Sequence, residues 1–283
     1  MEIYRKNDAL TINMKHQKGW EQWFLLMADE HFDSKKCDRE LLLKHHEQAK
    51  KRNAKILKFG DIFDCMGGKY DKRTTKEDIR EEYQTQTYFT DIVKDAAKFY
   101  SPYKDNIILL SDGNHETSVK LMHEIDLLDN LRERLNPDYE TNEKIFRGKY
   151  NGFIRFKFER ETCGGSRSSK VMYYTHGSGG NSPVTKGVIK TNRRQETVFA
   201  DFFVSAHIHN EWEIARTQAR LNEQNNVVVS KVIHWQLPTY KNEFLSGGWA
   251  DHKEFAPANI GCRWLRFFIS NDNIYHESYL SGE

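Results

Sequence analysis

The sequence predicts an α/β protein in which two β-sheets pack face to face. In the first half of the chain, short apolar runs typical of buried strands alternate with segments of helical periodicity. The second half has several strand-like segments and few helices between them. The first pattern is typical of a mainly parallel sheet and the second of an antiparallel one. Because no linker rich in Pro, Ser or Gly divides them, we predict a single domain over 1–283, with 210–283 completing the second sheet and the rim of the site.

Three strands and three helices are predicted in the first half of the chain. The strands are predicted from continuous apolar character, and the helices from apolar residues that recur on one face. Ser34 is the predicted cap of the first helix, and His45 and His46 are predicted to lie on its solvated face. The predicted strands are 24–28, 55–59 and 107–110, and the predicted helices are 34–52, 75–100 and about 117–135.

Five more strands are predicted in the second half of the chain. Residues 153–158 alternate apolar with charged side chains, and 171–175 return as a hairpin partner. Further strands are predicted at 202–205, 227–233 and 264–269. A group of aromatic side chains lies between the last two of these strands and fits a lid, a partner surface or the edge of a core: Trp235, Tyr240, Phe244, Trp249 and Phe255.

Composition limits the class of protein. Apolar residues make up 38% of the 283 residues, which is enough for a core, and the formal net charge is only +2. Such a balance argues against a strongly electrostatic nucleic-acid binder but leaves room for a local basic groove. Neither the amino terminus nor any apolar run suggests a signal peptide or a membrane span. The cysteines, Cys37, Cys65, Cys163 and Cys262, form no CxxC pair, so we predict reduced thiols in a soluble, cytoplasmic protein without a membrane partner.

The residue types that bind metals are concentrated in five short segments, four of which directly follow a predicted strand. Residues two apart in a strand point the same way, so Asp29 with His31, and His207 with His209, are expected to enter one cavity in pairs. Oxygen donors mixed with imidazole suit Mn, Fe or Zn better than they suit a thiolate-loving centre. The segments are Asp29-Glu30-His31, Gly60-Asp61-Ile62-Phe63-Asp64, Gly113-Asn114-His115-Glu116, His176-Gly177 and His207-Ile208-His209.

The number of candidate ligands indicates two ions rather than one. One ion seldom takes so many protein ligands while leaving a position open for chemistry. Two ions that share the carboxylate of Asp61 would use them all, and such a pair can hold a bridging hydroxide that attacks a phosphoryl group. His115 remains, placed to protonate a leaving oxygen. The predicted ligands are Asp29, His31, Asp61, Asn114, His176, His207 and His209.

The five segments, in this order, resemble the motifs of the calcineurin-like metallophosphoesterase superfamily over residues 24–210. The family pattern runs DxH, GDxxD, GNH(D/E), H and GHxH. This chain departs from it at Ala206, where the family usually has glycine. The resemblance implies a four-layer α-β-β-α sandwich with two divalent ions, manganese being favoured over Fe, Zn or Ni.

The same resemblance implies a role for each matching residue. One ion would be held by Asp29, His31, Asp61 and His209, and the other by Asp61, Asn114, His176 and His207. His115 matches the catalytic histidine of the family. Asp64 and Glu116 match positions where a carboxylate orients a ligating imidazole, although a helix cap is an alternative for Asp64.

Three functions stay open at this stage. We favour a phosphoesterase acting on phosphodiesters, with nucleic acid among the candidate substrates. This preference rests on the segment at 69–73, which places an aromatic residue among cations, and on Arg193 and Arg194 with Lys186 and Lys190 upstream. Each of these segments also fits an ordinary solvated loop. The alternatives are a phosphomonoesterase acting on proteins or small molecules, and a scaffold that binds partners without catalysis.

Overall fold

The computed structural model describes residues 1–65, 78–161, 167–180, 185, 187–242 and 259–281. Cys163, Lys186, Phe244, Trp249, Phe255 and the segment 69–73 lie outside the described residues. The strands are β1 (Glu2–Lys6), β2 (Ala9–His16), β3 (Glu21–Met27), β4 (Lys55–Phe59), β5 (Ile107–Ser111), β6 (Phe146–Arg147), β7 (Asn151–Arg160), β8 (Arg167–Thr175), β9 (Phe202–Ser205), β10 (Trp212–Leu221), β11 (Val227–Gln236), β12 (Cys262–Ser270) and β13 (Asn273–Ser281). The helices are α1 (Arg39–Lys51), α2 (Tyr88–Tyr100), α3 (Asn114–His123), α4 (Leu127–Leu135) and α5 (Ile189–Thr197).

The strands form two mixed sheets, which confirms the predicted fold class. Sheet 1 has the order β13-β12-β3-β4-β5-β6, and sheet 2 has the order β1-β2-β7-β8-β9-β11-β10. In sheet 1 the neighbours β3, β4 and β5 run parallel, and in sheet 2 β8 runs parallel to β9. The C-terminal segment is divided between the sheets: β10 and β11 lie in sheet 2, as expected, whereas β12 and β13 extend sheet 1 beside β3.

Two apolar cores hold these layers together. One lies between the sheets and takes side chains from both, including Phe24 of β3, Phe156 of β7 and Phe267 of β12. The other lies between sheet 1 and the helices α1, α2 and α4. Two of the aromatic residues without an assigned place, Trp235 and Tyr240, are fully buried in these cores. On the other face of sheet 2, Gln195 of α5 contacts His234.

Three predicted helices have different limits in the structure, and side-chain caps explain the first and the third difference. The first begins at Arg39 rather than Ser34, because the Asp38 carboxylate accepts the backbone N–H of Leu41 at 2.9 Å. The helix predicted over 75–100 begins only at Tyr88, where the hydroxyl of Thr87 donates to Asp91 at 2.8 Å. The helix predicted over 117–135 is two helices, with left-handed backbone at Glu124 and a cap at Asp126 between them.

Histidines that sequence patterns placed in solvent are buried instead. His45 and His46 have exposed fractions of 0%, so the prediction of a solvated face is wrong. His45 Nδ1 is 2.6 Å from the Tyr240 hydroxyl, and His46 Nδ1 donates a hydrogen bond to the Leu42 carbonyl at 2.7 Å. The sequence shows their helical spacing but not the aromatic residues that close over them.

We expect these buried histidines to make the fold sensitive to acid. Burial lowers the pKa of His45 and of His234 to about 4, whereas an unfolded histidine keeps a pKa near 6.5. Above pH 6.5 neither state binds the proton; as pH falls from about 6.5 to 4 only the unfolded state binds it. Each histidine should then reduce the free energy of unfolding by an amount on the order of 3 kcal/mol. Urea unfolding at a series of pH values should show this loss, and His234→Gln should make it shallower; equal pH dependence in both proteins would contradict the assignment.

Within the described ranges, no helix combines the length and the apolar character that crossing a membrane requires.

Candidate metal centre

The candidate ligands lie where five strands end on one side of the two sheets. Asp29 follows β3, Asp61 follows β4 and Asn114 begins the helix after β5. His176 directly follows β8, and His207 comes after β9. Because β3, β4 and β5 are parallel in sheet 1, their C-terminal ends lie at one edge of that sheet. The C-terminal ends of the parallel strands β8 and β9 lie likewise at one edge of sheet 2. The topology therefore brings together side chains that are 178 residues apart in the sequence, since His31 Nε2 lies 3.0 Å from His209 Nε2.

The donor atoms of the predicted ligands form two adjoining groups, and a third group, His31 with Asp64 and His115, overlaps the first. Asp29, His31 and His209 make the first, with donor atoms within 4.8 Å of one another, and Asp61, His176 and His207 make the second. In the second group His176 Nε2 is 3.0 Å from Asp61 Oδ2. The groups meet where Asp29 Oδ1 lies 3.9 Å from His176 Nε2.

Asn114 belongs to the second group of donors. Its Oδ1 is 3.1 Å from His176 Nε2 and 2.7 Å from His207 Nδ1. Ligand atoms about 2.0–2.2 Å from one ion lie roughly 3 Å apart, so these separations fit shared coordination. All seven predicted ligands are thus brought to one place, while their roles as ligands stay predictions.

The backbone that delivers these side chains is left-handed, not extended. Asp29, His31, Asp61, His207 and His209 all have positive φ, between 48° and 75°. The prediction that strand alternation aims Asp29 and His31 into one cavity is therefore wrong about the cause. Such backbone costs on the order of 1–3 kcal/mol per residue and persists only where neighbours enforce it.

Hydrogen bonds between the segments enforce that backbone. The N–H of Asp29 donates to the Gly60 carbonyl and that of His31 to the Asp61 carbonyl, each at 3.0 Å. The carbonyl of Asp29 accepts the Thr239 hydroxyl at 2.8 Å and the Tyr240 N–H at 3.0 Å. The first ligand segment is thus fixed from both sides.

Gly113 is required by close approach rather than by its φ. A Cβ there would lie 2.0 Å from Asp61 Oδ1 and 2.3 Å from the Asp61 nitrogen. We expect Gly113→Ala to displace Asp61 and to destabilise the fold by about 1–3 kcal/mol, as overpacking does. Gly180→Ala is the matched control, because a Cβ at Gly180 meets no atom within 4 Å. Thermal unfolding and metal titration of both variants measure the effect, and a Gly113→Ala protein indistinguishable from the control would refute it.

Asp64 contacts the imidazole of His31, a predicted ligand, in the arrangement that the resemblance implied. Its Oδ1 lies 2.8 Å from His31 Nδ1, which leaves Nε2 of that ring directed at the donor group. The same oxygen accepts Lys241 Nζ at 2.8 Å. Lys241 and His31 hold the pKa of Asp64 below its usual range although burial opposes this, so the carboxylate stays ionised.

Glu116 does not orient an imidazole, which corrects its predicted role. Its oxygens accept backbone N–H groups from Asp61 at 3.1 Å, Gly113 at 3.0 Å and Phe63 at 3.0 Å. Burial and the nearby Asp61 raise the pKa of Glu116 to about 8. The side chain therefore shapes the loop that carries Asp61 instead of supporting a ring.

Two supporting residues escaped the sequence analysis. Asp33 accepts the N–H groups of Asp64 at 2.6 Å and Cys65 at 3.0 Å, together with the hydroxyl of Tyr88. Its spacing, two residues after His31, was an available signal. Lys241 gave none, because its pairing with Asp64 spans 177 residues.

The charge of the site attracts a cation. Burial alone would lower the pKa of His176, but the carboxylates of Asp61 and Asp29 outweigh it and raise that pKa to about 10. In the metal-free protein the cation is thus a proton on His176. Burial lowers the pKa of His31 to about 4 and also lowers that of His207, so both rings are neutral and able to ligate.

These residues fit a divalent metal ion. Among the described residues, Asp29 Oδ1 is a buried oxygen without a hydrogen-bond partner, a costly state that a bound cation would relieve. The surrounding donors are imidazole nitrogens and carboxylate or amide oxygens, a set that Mn, Fe, Ni and Zn accept.

His115 lies beside this centre rather than within the predicted ligand set. Its ring nitrogen Nδ1 donates to the carbonyl oxygen of Asp64, and its Nε2 is 3.8 Å from Asp61 Oδ2. Its side chain is 13% exposed, against 2% or less for Asp61 and His31. The ring is therefore reachable from solvent while one nitrogen is fixed.

Comparisons with known proteins give distant structural neighbours only. No family model matches the chain, and no curated protein matches it. Among solved structures, Vps29 from Cryptosporidium parvum has a TM-score of 0.36 at 12% identity, covering 93% of this chain and 99% of that one. Zinc-bound Vps29 from Entamoeba histolytica has a TM-score of 0.34 at 9% identity, covering 92% and 99%. GAP50, the anchor in the inner membrane complex of Plasmodium, has a TM-score of 0.44 at 12% identity, covering 93% of this chain and 86% of that one.

The Vps29 neighbours have the calcineurin-like metallophosphoesterase fold. Similarity at these TM-scores carries no argument about chemistry. The case for a metal centre is therefore made by the side chains that this chain itself brings together.

Proposed function

We propose that this chain is a phosphoesterase of the calcineurin-like metallophosphoesterase superfamily with a centre for two divalent metal ions. The observation that carries the proposal is the convergence of seven potential ligands in the described part of the chain, one of which, Asp29, has a buried Oδ1 that accepts no hydrogen bond. Two adjoining donor groups favour two ions over one. When bound, such ions lower the pKa of water and neutralise the charge of a phosphoryl group. Manganese is the favoured metal.

The residues of the chain would bind, orient and transfer protons. Asp64 fixes the His31 ring, and the Phe59 carbonyl fixes His176 through Nδ1 at 2.9 Å, so that both rings present Nε2 to the centre. His115 is held by the Asp64 carbonyl and keeps Nε2 for a proton that it gives to the leaving oxygen.

Phosphodiesters are the proposed substrates, with nucleic acid among them. The support is helix α5, which carries Lys190, Arg193 and Arg194. Lys190 contacts the carbonyl oxygen of Ser178, two residues beyond His176, so this cationic helix adjoins the candidate centre. Arginine and lysine at that position suit a phosphate backbone.

A metal and substrate panel tests the proposal. The protein is stripped with a chelator and reloaded separately with Mn²⁺, Fe²⁺, Zn²⁺ and Ni²⁺, and its metal content is determined by mass spectrometry. Turnover is then compared on bis-p-nitrophenyl phosphate, p-nitrophenyl phosphate, DNA and RNA. We expect about two ions per chain and faster diester hydrolysis with Mn²⁺. Faster monoester hydrolysis would favour a phosphomonoesterase, and metal binding without turnover on any substrate would favour a scaffold.

A further inference from the structure

The side chain between two predicted ligands points away from the metal centre. Glu30 lies between Asp29 and His31, and its exposed fraction is 0%. Its Oε1 accepts a hydrogen bond from Lys58 Nζ at 2.6 Å, and its Oε2 accepts one from the hydroxyl of Tyr100. A carboxylate this deeply buried must have such partners, because burying it unpaired would cost several kcal/mol.

Lys58 is equally buried, and its ammonium group is surrounded by suitable contacts. Besides Glu30, it lies 3.2 Å from His46 Nε2 and 4.0 Å from the centre of the Tyr100 ring. His46 Nδ1 lies 2.7 Å from the carbonyl of Leu42 and donates to it, so Nε2 is the acceptor for Lys58. The group is therefore a completed polar network and not a stray ion pair.

The network joins the strands that deliver the metal ligands. Glu30 follows β3, and Lys58 lies in β4 three residues before Asp61. The backbone carbonyl of Lys58 also accepts the hydroxyl of Ser111, the last residue of β5, at 3.0 Å. The ion pair thus connects the ends of adjacent strands on the face of sheet 1 that α1 and α2 cover, where His46 and Tyr100 contact it.

Stability does not explain why such a pair is present. A buried ion pair contributes little compared with apolar side chains of similar volume, and replacing both partners is often neutral or stabilising. The residues on either side of Glu30 have positive φ, 50° at Asp29 and 48° at His31, and need outside restraint. The fixed carboxylate of Glu30 between them adds a side-chain restraint to the backbone hydrogen bonds that hold this segment.

We propose that Glu30, Lys58 and Tyr100 form a positioning network that holds the ligands Asp29 and His31 in geometry for metal binding. The inference rests on the proposed metal centre and concerns residues that do not touch the metal. It predicts that the network affects metal affinity more than it affects stability.

The test is a double variant, Glu30→Leu with Lys58→Met, which replaces both charges by apolar groups of similar volume. Isothermal calorimetry with Mn²⁺ should show affinity reduced about 10- to 100-fold, the effect typical of groups that orient ligands. The melting temperature of the metal-free protein should fall by only a few degrees, because the Tyr100 hydroxyl and His46 Nε2 lose their partners while the burial of two charges is relieved. Hydrogen exchange should become faster at residues 29–32 without a general loss of protection.

Two further variants keep the test decisive. Tyr100→Phe removes one hydroxyl and should weaken Mn²⁺ binding in the same direction even if the double variant fails to fold. Arg132→Met breaks the ion pairs of this α4 residue with Asp129 at 2.8 Å and with Glu143, after the helix, at 3.4 Å; it should lower stability while leaving Mn²⁺ affinity unchanged.

The failures are distinguishable. If the wild type and the folded double variant bind Mn²⁺ equally well, the positioning network is wrong and the metal centre stands. If the double variant does not fold, equal Mn²⁺ binding by the wild type and Tyr100→Phe has the same meaning. If the wild type binds none of the four metals, both proposals fail. If Arg132→Met weakens binding as much as the double variant, the effect is one of general stability and the positioning role is refuted.

Discussion

An Asp61→Asn variant should bind metal poorly and lose its phosphoesterase activity. Asp61 Oδ2 lies 3.0 Å from His176 Nε2, and Oδ1 accepts the N–H of His115 at 3.0 Å. Asparagine keeps the size of the side chain and an oxygen for His115, but it removes the charge that the proposed ions share. Losing several kcal/mol of metal-derived stabilisation corresponds to a rate loss of about 1,000-fold or more.

The same variant should also be less stable without metal. Although burial opposes its ionisation, the histidines around Asp61, His176 first among them, hold the pKa of Asp61 well below its usual range, and Asp61 in turn raises the pKa of His176 to about 10. Asparagine leaves the buried His176 imidazolium without the carboxylate charge 3.0 Å away, a cost that outweighs the relief of repulsion at Glu116. The metal-free variant should therefore melt below the metal-free wild type.

Thermal unfolding with and without Mn²⁺ measures both effects. Metal at 100 times its dissociation constant stabilises a protein by about 2.7 kcal/mol, so the wild type should melt several degrees higher with Mn²⁺. Asp61→Asn should show little of that shift. A variant that keeps both the shift and the turnover of the wild type would remove the basis for a shared carboxylate.

The parts of the site that could be predicted are those that depend on residues close together in the sequence. Asp29, Asp61 and Asn114 follow apolar strand segments closely, so strand prediction alone puts them at one sheet edge. The pairing of Glu30 with Lys58 is not local: it joins residues 28 apart, and it depends on β3 lying beside β4. A lysine inside the apolar run Lys55–Phe59 was the visible sign that a buried partner existed.

Neighbouring residues do not determine which sheet each strand joins either. The alternation of Leu10, Ile12 and Met14 in β2 indicates a half-buried strand, which the sequence analysis overlooked. Nothing in that pattern shows that β2 pairs with β7, more than 130 residues later, or that β12 returns to β3. Such pairings are decided by which apolar faces meet in the central core, a property of the whole chain.

A His115→Ala variant separates catalysis from metal binding. His115 Nε2 is 3.8 Å from Asp61 Oδ2, and its Nδ1 is engaged by the carbonyl of Asp64. Because His115 is outside the proposed ligand set, its removal should leave metal content and the metal-induced rise in melting temperature close to those of the wild type. The turnover number should nevertheless fall about 100- to 10,000-fold, the usual contribution of a general acid.

The choice of leaving group sharpens this test. A general acid matters most when the leaving oxygen is strongly basic, because a poor leaving group needs the proton in the transition state. His115→Ala should therefore lose much more activity on an alkyl phosphodiester than on bis-p-nitrophenyl phosphate, whose leaving group departs readily without a proton. An equal loss on both substrates would assign His115 to charge stabilisation instead of proton donation. Unchanged turnover on both would remove it from the mechanism and leave the metal centre as the sole carrier of catalysis.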